Sequence, residues 1–457
     1  MTSSVLSSGA SSLLHAILAQ GRTQPTNAEL ATLTGVSPRG LAYRLASLRA
    51  AGLVETGPTR LGPGLGLVLS IALSSRTCRA ALVDANGATV GDVALPPVTD
   101  QRKLPPDQLL DRVAEAARLA LARSRHDCPE LATDDGRIPL IGVATAWPAP
   151  IRGSLRSAGM ILHPEWASRR ETLPEAVARR LGVPVDKTHA INDGNAHALA
   201  VVFDKSRARA HENDETTSRI SLVLRVGGGL SASTMIVAPH RRERLAFISS
   251  TMLGGARSLA GELAHFPIEQ SVLDTLNGDG RWIDHLSPLS SDSRCSCGQT
   301  GHLEAFASGT AFKRRMDESG VSPESLDSRV YLNSIRDADR ALAEVEDQRL
   351  IGALEDMGRL IGRSLTGPIL LLDPHTLTLT GSFALKPVFD GLIAERGTWR
   401  HVFGDALTID RAIDVADGDS RLIGVRGAGL AVIRQHVHRR FEAIASDLSQ
   451  LPETFSL

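Results

Sequence analysis

The chain has 457 residues, of which 42% are hydrophobic and 22% are charged, and its formal net charge is -1. Such a length and composition predict a globular protein of two or three domains, and four cysteines are too few for a disulfide scaffold, which favours a reducing cytoplasm. No apolar run approaches the ~18 residues that cross a bilayer, and the first cationic side chain, Arg22, lies too far along for a secretory signal, so we expect no membrane partner.

The first 62 residues predict three helices and a short wing. Apolar residues at helical spacing mark a first helix over 11–20. Thr26 and Glu29 form a capping box for a second helix, which Gly35 ends. Ser37 then caps a third helix, in which Leu41, Leu45 and Leu48 form one apolar stripe. A Gly/Pro-rich stretch over 57–66 follows. This order predicts a winged helix-turn-helix.

The third helix has the polarity of a DNA-recognition helix. Its outer face carries cationic and aromatic groups that contact bases and phosphates in such proteins, and Arg60 in the wing could reach the DNA backbone or minor groove. The candidate DNA-binding residues are Ser37, Arg39, Tyr43, Arg44 and Arg60. Because the segment is only mildly basic, tight binding to operator DNA would require two copies. Winged helices also mediate protein contacts, and that alternative stays open.

The remaining chain alternates strand-like and helical runs, which predicts α/β architecture. Strands are expected over 65–73, 80–83, 138–144, 220–225 and 376–380. Helices are expected over 105–124, 169–181 and 347–365, and a shorter one over 196–201.

The stretch 295–302, CSCGQTGH, has the character of a metal site. Cys295, Cys297 and His302 place three zinc-ligand types within eight residues, and Gly298 and Gly301 allow a tight backbone. A fourth ligand must come from elsewhere, and His265 is the candidate. The alternative is a polar loop that happens to contain two reduced cysteines.

At this point the sequence resembles the ROK family (repressors, open reading frames, sugar kinases). The family pattern is Glu-x-Gly-His followed by Cys-x-Cys-Gly-x-x-Gly-Cys-x-Glu, and its His and three Cys bind a structural zinc. His265, Cys295 and Cys297 match that pattern, whereas His302 stands at the family's last Cys and Ala264 at its Gly. The resemblance implies one structural Zn²⁺ held by His265, Cys295, Cys297 and His302, since histidine is also a zinc ligand.

The sugar-binding residues follow from the same resemblance. Ile191–Ala196 resembles the family's Asn-Asp-Ala-Asn-Ala motif, in which the Asp of the kinases accepts the proton of the attacking sugar hydroxyl. The predicted sugar site comprises Asn192, Asp193, Glu262, His265 and Glu304. Glu262 and His265 would share one face of a helix, so that a metal on His265 would orient the neighbouring carboxylate. Alternatively, Asp193 caps the helix that follows, and Glu304 is a solvent-facing acid.

The phosphate-binding motif departs from the family. ROK kinases place Asp-x-Gly-Gly-Thr on the first hairpin, whereas this chain has Ala72-Leu73-Ser74-Ser75-Arg76 there. The carboxylate is absent and both glycines are serines. The second loop keeps only Gly227–Gly229. Since phosphoryl transfer requires positioned phosphates and metal, we predict that the chain is not an enzyme and that Asp193 is a vestigial base.

These features together predict a sugar-responsive transcriptional regulator of carbohydrate metabolism, a repressor by family type, that acts as a homodimer or homotetramer. The expected fold is a winged helix-turn-helix over 1–62 and a two-lobed, actin-like (ribonuclease H-like) ROK body. The first lobe is expected over 63–190 and the second, which contains the zinc motif, over 191–457. A C-terminal helix that returns to the first lobe is left open as an alternative. Two rivals remain: a sugar kinase fused to a DNA-binding domain, and a regulator whose body is only a dimerisation scaffold.

Overall fold

The computed structural model describes residues 13, 17, 26–50, 54, 66–149, 151, 163–209, 219–237, 250–255, 259–278, 286–330, 332, 334–397, 399, 407–412 and 420–449. Most of the predicted first helix and almost all of the predicted wing, including Arg60, lie outside these residues. Among the described residues, no helix has both the length and the apolar character to span a bilayer.

The described helices and strands alternate along most of the chain, as α/β architecture requires. The strands are β1 Leu67–Leu73, β2 Cys78–Val83, β3 Thr89–Ala94, β4 Leu140–Trp147, β5 Thr188–Asn192, β6 Arg219–Val226, β7 Leu230–Val237, β8 Thr251–Met252, β9 Thr376–Thr380 and β10 Thr408–Arg411. The helices are α1 Asn27–Thr34, α2 Pro38–Ala50, α3 Pro106–Asp127, α4 Leu173–Leu181, α5 Asp193–Arg209, α6 Gln270–Gly278, α7 Gly309–Glu318, α8 Pro323–Arg329, α9 Ile335–Ala343, α10 Gln348–Ser364, α11 Thr366–Leu372, α12 Lys386–Ala394 and α13 Ile423–Ser449.

The two N-terminal helices form where the caps predict them. Thr26 and Glu29 make the reciprocal capping box of α1, and Gly35 closes it with φ 63°. The Ser37 hydroxyl accepts the Gly40 amide at 3.3 Å at the head of α2. Leu41, Leu45 and Leu48 are buried together with Leu30, Leu13 and Ile17, which lie in helical conformation. The second and third predicted helices are thus present, while the winged helix-turn-helix as a whole stays a prediction.

Two five-stranded sheets form the body, and they have the same topology. The first has the order β3-β2-β1-β4-β5 and the second the order β10-β9-β6-β7-β8. In each, an antiparallel meander of three strands is extended by two parallel strands: β1 pairs with β4 as β6 pairs with β9. The matching order confirms the predicted two-lobed α/β body, a duplicated architecture that a search for short sequence repeats does not detect.

Helices α5 and α13 pack between the sheets. The C-terminal helix α13 lies against β1, β2 and β4 of the first sheet and along α5. At the α5–α13 crossing the backbones touch, because a Cβ placed on Gly427 would collide with the Ala196 carbonyl. Arg426 is buried in this layer, where its guanidinium binds both carboxylate oxygens of Asp204, at 2.7 and 3.0 Å, and the Gly87 carbonyl at 2.8 Å. This layer fixes the end of α5 that faces the cleft.

Several predicted boundaries need correction. The helix expected over 169–181 begins at Leu173, because Thr172 and Glu175 form a capping box that starts it there. The helix expected over 196–201 spans Asp193–Arg209. The segment 262–265 is a single 3₁₀ turn, Leu263–His265, and not part of an α-helix.

Candidate functional site

A polar cleft opens between the two sheets, at the point where β1, β5 and β6 end. The empty space within it is about 540 Å³ when the part open to solvent is included. It is lined by Ser75, Arg102, Pro148, Ala149, Asn192, Asp193, Arg225, Gly229, Leu230, Ser231, Glu262, Ala264, His265, Ser296 and Glu304. All five predicted sugar-binding residues therefore line one cleft, although they are spread over more than a hundred positions of the sequence.

Asn192 and Asp193 lie where β5 passes into α5. The Asn192 carboxamide oxygen accepts the Asn195 amide at 3.1 Å, and its NH₂ group donates to the Ala149 carbonyl at 3.0 Å. Asn192 therefore caps α5, the role that the sequence offered as an alternative for Asp193. One carboxylate oxygen of Asp193 accepts a hydrogen bond from the adjacent Gly194 amide. The other carboxylate oxygen lies 2.8 Å from an Nη atom of Arg225.

The Asp193–Arg225 ion pair is largely buried, with side chains 9% and 12% exposed. Burial raises the pKa of the Asp193 carboxyl, and the Arg225 guanidinium and the Gly194 amide oppose that rise. Since Arg225 lies on β6 and Asp193 follows β5, the pair joins the two sheets across the floor of the cleft.

Glu262, His265 and Glu304 form the other end of the cleft. A 3₁₀ turn stacks residues three apart, so Glu262 and His265 still share a face, and the Glu262 carboxylate lies 3.7 Å from His265 Nε2. Burial raises the pKa of Glu262 to about 7, and the carboxylates of Asp193 and Glu304 add to the rise. Glu304 is buried, which excludes the solvent-facing alternative, and it accepts hydrogen bonds from Ser296 and Cys295.

The four predicted metal ligands come together directly behind this end. The ligand atoms of His265, Cys295, Cys297 and His302 all lie within 4.8 Å of one another. Cys295 Sγ is 3.5 Å from His265 Nδ1, and Cys297 Sγ is 3.3 Å from His302 Nδ1. The edges of a tetrahedron with zinc-length bonds are about 3.3–3.8 Å long, so two thiols and two imidazoles fit a tetrahedral cation with only a small contraction.

Local backbone structure explains why these residues meet. The Cys295 amide bonds to the Gln299 carbonyl at 2.8 Å and the Gly298 amide to the Cys295 carbonyl at 3.0 Å, which folds the Cys-x-Cys stretch into a knuckle. Residues 266–268 pair with 301–303 and bring His265 beside it. Burial raises the pKa of the Cys295 thiol to about 12, and a bound cation would act in the opposite direction by favouring the thiolate. The donor set is thus a possible metal site.

The loop between β1 and β2 faces the cleft from the first sheet. The Ser74 hydroxyl accepts the amides of Arg76 and Thr77 at 3.2 and 3.0 Å, and the Ser74 amide donates to the Thr77 carbonyl at 2.9 Å. Across the cleft, a Cβ on Gly228 would collide with the Ser75 hydroxyl, and one on Gly229 with the Glu304 carboxylate. The two loops that face a nucleotide's phosphates in the family thus lie in close contact.

On α2, the predicted DNA-binding residues are accessible. Tyr43 is 52% exposed, Ser37 and Arg39 are exposed, and Arg44 is half-buried. Arg39, Tyr43 and Arg44 lie on α2, whose apolar stripe is turned inward, and Ser37 directly precedes it; Arg60 lies outside the described residues.

Two cleft residues, Arg102 and Arg225, were not predicted. Arg102 lies in a short 3₁₀ turn after β3, where Asp100 holds it by two hydrogen bonds of 3.0 and 3.1 Å. Nothing in the sequence marks Arg102. Arg225 lies two residues before Gly227–Gly229, at the end of β6, and this proximity to the glycine loop is a signal that could have been used.

Comparison with known proteins shows which family the chain belongs to. A model of the ROK family matches residues 130–391, more than half of the chain. The chain therefore belongs to the ROK family, as its zinc and Asn-Asp motifs predict.

Two solved structures have the same fold. A ROK family transcriptional regulator, described as a homologue of the E. coli MLC protein, is 17% identical with a TM-score of 0.56, over 97% of this chain and 99% of that one. A ROK family glucokinase from Streptomyces griseus, in complex with glucose and AMPPNP, is 16% identical with a TM-score of 0.51, over 80% of this chain and 98% of that one. The comparison with curated proteins found no match.

Proposed function

We propose that the chain is a sugar-responsive transcriptional regulator of the ROK family that binds operator DNA through α2 and does not phosphorylate its ligand. The observation that carries the proposal is the hydrogen bonding of the β1–β2 loop. The amides of Arg76 and Thr77 donate to the Ser74 hydroxyl of their own loop, so they do not point at a bound phosphate.

Other contacts in the cleft support the loss of phosphoryl transfer. That reaction depends on the positioning of phosphates and metal and on a free base. The Ser75 hydroxyl contacts Gly228 across the cleft, and Asp193, the base position of the kinases, is held by Arg225 at 2.8 Å. The Arg225 guanidinium opposes the rise that burial causes in the pKa of Asp193, and it occupies one of the two carboxylate oxygens that a base would turn to a sugar hydroxyl.

A kinase fused to a DNA-binding segment is the second candidate. Asp193 favours it, because its buried carboxylate lies in the cleft at the head of α5 as a catalytic base would. The hydrogen bonding of the β1–β2 loop opposes it.

The acidic end of the cleft is suited to hydroxyl recognition. Paired carboxylate and imidazole groups bridge adjacent hydroxyls of a sugar, and Glu262, His265 and Glu304 converge there. We propose that His265, Cys295, Cys297 and His302 hold a structural Zn²⁺. With Nδ1 turned to the metal, His265 presents Nε2 to Glu262 and to the ligand, so the metal would fix the ring and the carboxylate beside it.

At the other end of the chain, we propose that α2 enters the major groove, where Arg39 and Tyr43 would contact DNA. Two-fold symmetric assembly into a dimer would present two such helices to a pseudo-palindromic site. Lobe closure on the sugar would change the spacing of the two helices and hence the affinity for DNA.

Paired variants test the proposal. Arg39→Ala should weaken binding to an operator obtained by in vitro selection by about 5- to 150-fold if the contact is to a base, and leave sugar binding unchanged. Glu262→Ala should keep DNA affinity and lose the sugar response. Two exposed residues of α3, Arg118 and Glu115, serve as matched controls as Arg118→Ala and Glu115→Ala, which should behave as wild type in both assays.

The measurements are gel-shift and calorimetric titrations with a panel of sugars, with and without ATP. A wild-type sugar response in Glu262→Ala would show that the sugar lies elsewhere. If no sugar binds or alters DNA binding, the body is a scaffold. ATP-dependent turnover that Asp193→Asn abolishes would establish the kinase.

A further inference from the structure

Helix α13 runs from the cleft to the opposite end of the first sheet. Its first turn lies beside the cleft: a Cβ on Gly424 would meet the ring of His197 at 3.2 Å, and His197 follows Asp193 by one turn of α5. Further along, Val432 lies against Gly142 near the start of β4, at the end of the sheet opposite the cleft. At about 1.5 Å per residue, the 27 residues of α13 span about 40 Å, so one element reaches across the body.

Both sheets hold α13 through hydrogen bonds. On the first sheet, the Ser70 hydroxyl of β1 donates to the Val425 carbonyl at 2.6 Å. On the second, the Arg434 guanidinium donates to the carbonyl of Ser250, which directly precedes β8. Ser70 and Ser250 are both fully buried. Because one helix is fixed to both sheets, a change in the angle between the sheets must displace it.

The second half of α13 shares an apolar cluster with the N-terminal helices. Ile433 and Val437, on either side of Arg434, belong to one cluster of buried residues with the inward-facing leucines of α1 and α2. Met252 of β8 packs against the same cluster. A packed protein interior has low compressibility and transmits displacement. Arg434 therefore ties β8 to the stretch of α13 that lies in one packed core with the N-terminal helices.

From these contacts, and resting on the proposed sugar-sensing function, we propose that α13 carries the coupling between the cleft and α2, and that Arg434 is the positioning residue that ties α13 to the second sheet. When the lobes close on a ligand, Ser250 moves with the second sheet and draws Arg434 with it, while Ser70 holds the head of α13 on the first sheet. The helix then tilts, and the N-terminal helices in its cluster turn with it.

The chain connection between α2 and β1 is the other candidate route. At its end, a Cβ on Gly66 would collide with Ile141 of β4, so the connection enters the body against the first sheet. That contact involves one sheet only, and by itself it does not report the angle between the two sheets. The contact of Arg434 with Ser250 does report this angle.

The test is the sugar-induced change in operator affinity of the full chain in Arg434→Met, which keeps an apolar stem and removes the hydrogen bond to Ser250. The probes are an operator selected in vitro and a panel of glucose, mannose, N-acetylglucosamine and sucrose. In wild type, a sugar that binds should change the operator dissociation constant by at least about 5-fold, and in Arg434→Met the change should fall below about 2-fold. The affinities for operator alone and for sugar alone should stay within about 3-fold of wild type, because Arg434 lies neither in the cleft lining nor on α2.

Matched variants separate this role from a general effect on folding. Gln435→Met changes the neighbouring exposed residue of α13 and should keep the full sugar response. Arg434→Lys keeps a charged donor and should retain part of the response. Ser70→Ala releases the head of α13 from β1 and should reduce the response with Arg434 intact. Urea unfolding establishes that each variant is folded.

A full sugar response in folded Arg434→Met would overturn this inference, leave the sensing function intact and assign the coupling to the connection between α2 and β1. If that variant does not fold, a full response in Ser70→Ala would overturn the inference instead. An equal loss of response in Gln435→Met would remove the assignment to Arg434. If no sugar of the panel changes the operator affinity of the wild-type protein, the proposed sensing function fails, and this inference fails with it.

Discussion

Replacement of Arg426 should destabilise the protein more than replacement of an exposed arginine does. Arg426 is 2% exposed and joins three elements: its guanidinium binds both Asp204 oxygens on α5 and the Gly87 carbonyl between β2 and β3. Arg426→Met keeps an apolar stem of similar length and removes all three hydrogen bonds. It therefore isolates the contribution of the guanidinium from that of packing.

The magnitude follows from these contacts. Removal of one partner of a buried ion pair costs about 3–5 kcal/mol. The Asp204 side chain is 20% exposed, so water can partly solvate the carboxylate that remains, which places the expected loss at about 3 kcal/mol. Arg118→Met, in an exposed i,i+3 pair with Glu115, should cost less than about 0.5 kcal/mol.

The assay is urea unfolding followed by far-UV circular dichroism and tryptophan fluorescence. The double variant Arg426→Met/Asp204→Asn should recover part of the loss, because it also removes the carboxylate that would stay buried. An unfolding free energy for Arg426→Met within about 0.5 kcal/mol of wild type would refute this reasoning. So would equal losses for the Arg426 and Arg118 variants.

Three further predictions concern the metal, the helix crossing and catalysis. Metal analysis of purified protein should find close to one zinc ion per chain. The Cys295→Ser variant should lose the zinc, whereas Cys128→Ser, which lies outside the cluster, should keep it. Wild-type protein purified without metal would contradict the proposed site. Gly427→Ala should destabilise the chain by at least about 2 kcal/mol because the α5 backbone occupies the space of a Cβ, whereas Gly367→Ala, which has open space, should be nearly neutral in the same urea titration. No sugar should be phosphorylated in a coupled ATP assay, and Ser74→Gly/Ser75→Gly alone should not restore turnover while Arg225 still holds Asp193.

The sequence predicts those parts of the site whose residues lie in one short stretch and are held by hydrogen bonds between near neighbours. The Cys295–His302 stretch forms a knuckle whose bonds are all between near neighbours, and His265 is brought to it by an adjacent backbone pairing. The same holds for the caps of α1 and α2, which depend on residues three positions apart.

What the sequence could not give are contacts between distant segments. Arg225 meets Asp193, and Arg102 comes close to both, only because the two sheets bring their strand ends to one cleft. The roles of Asn192 and Asp193 also depend on this: both could cap α5, and the choice is made by Ala149 and Arg225, which are remote in sequence. The helix expected to carry Glu262 and His265 is a single 3₁₀ turn, and the backbone pairing of 266–268 with 301–303 begins directly after it.

We propose that one molecule binds both DNA and a sugar and couples the two binding events. The most direct measurement is the dissociation constant of the full chain for its selected operator, by fluorescence anisotropy, with and without a saturating sugar that calorimetry shows to bind. We expect the dissociation constant to change by at least about 5-fold, in line with usual coupling energies, and the sugar affinity to change by the same factor when DNA is present. An unchanged dissociation constant at saturating sugar would contradict it.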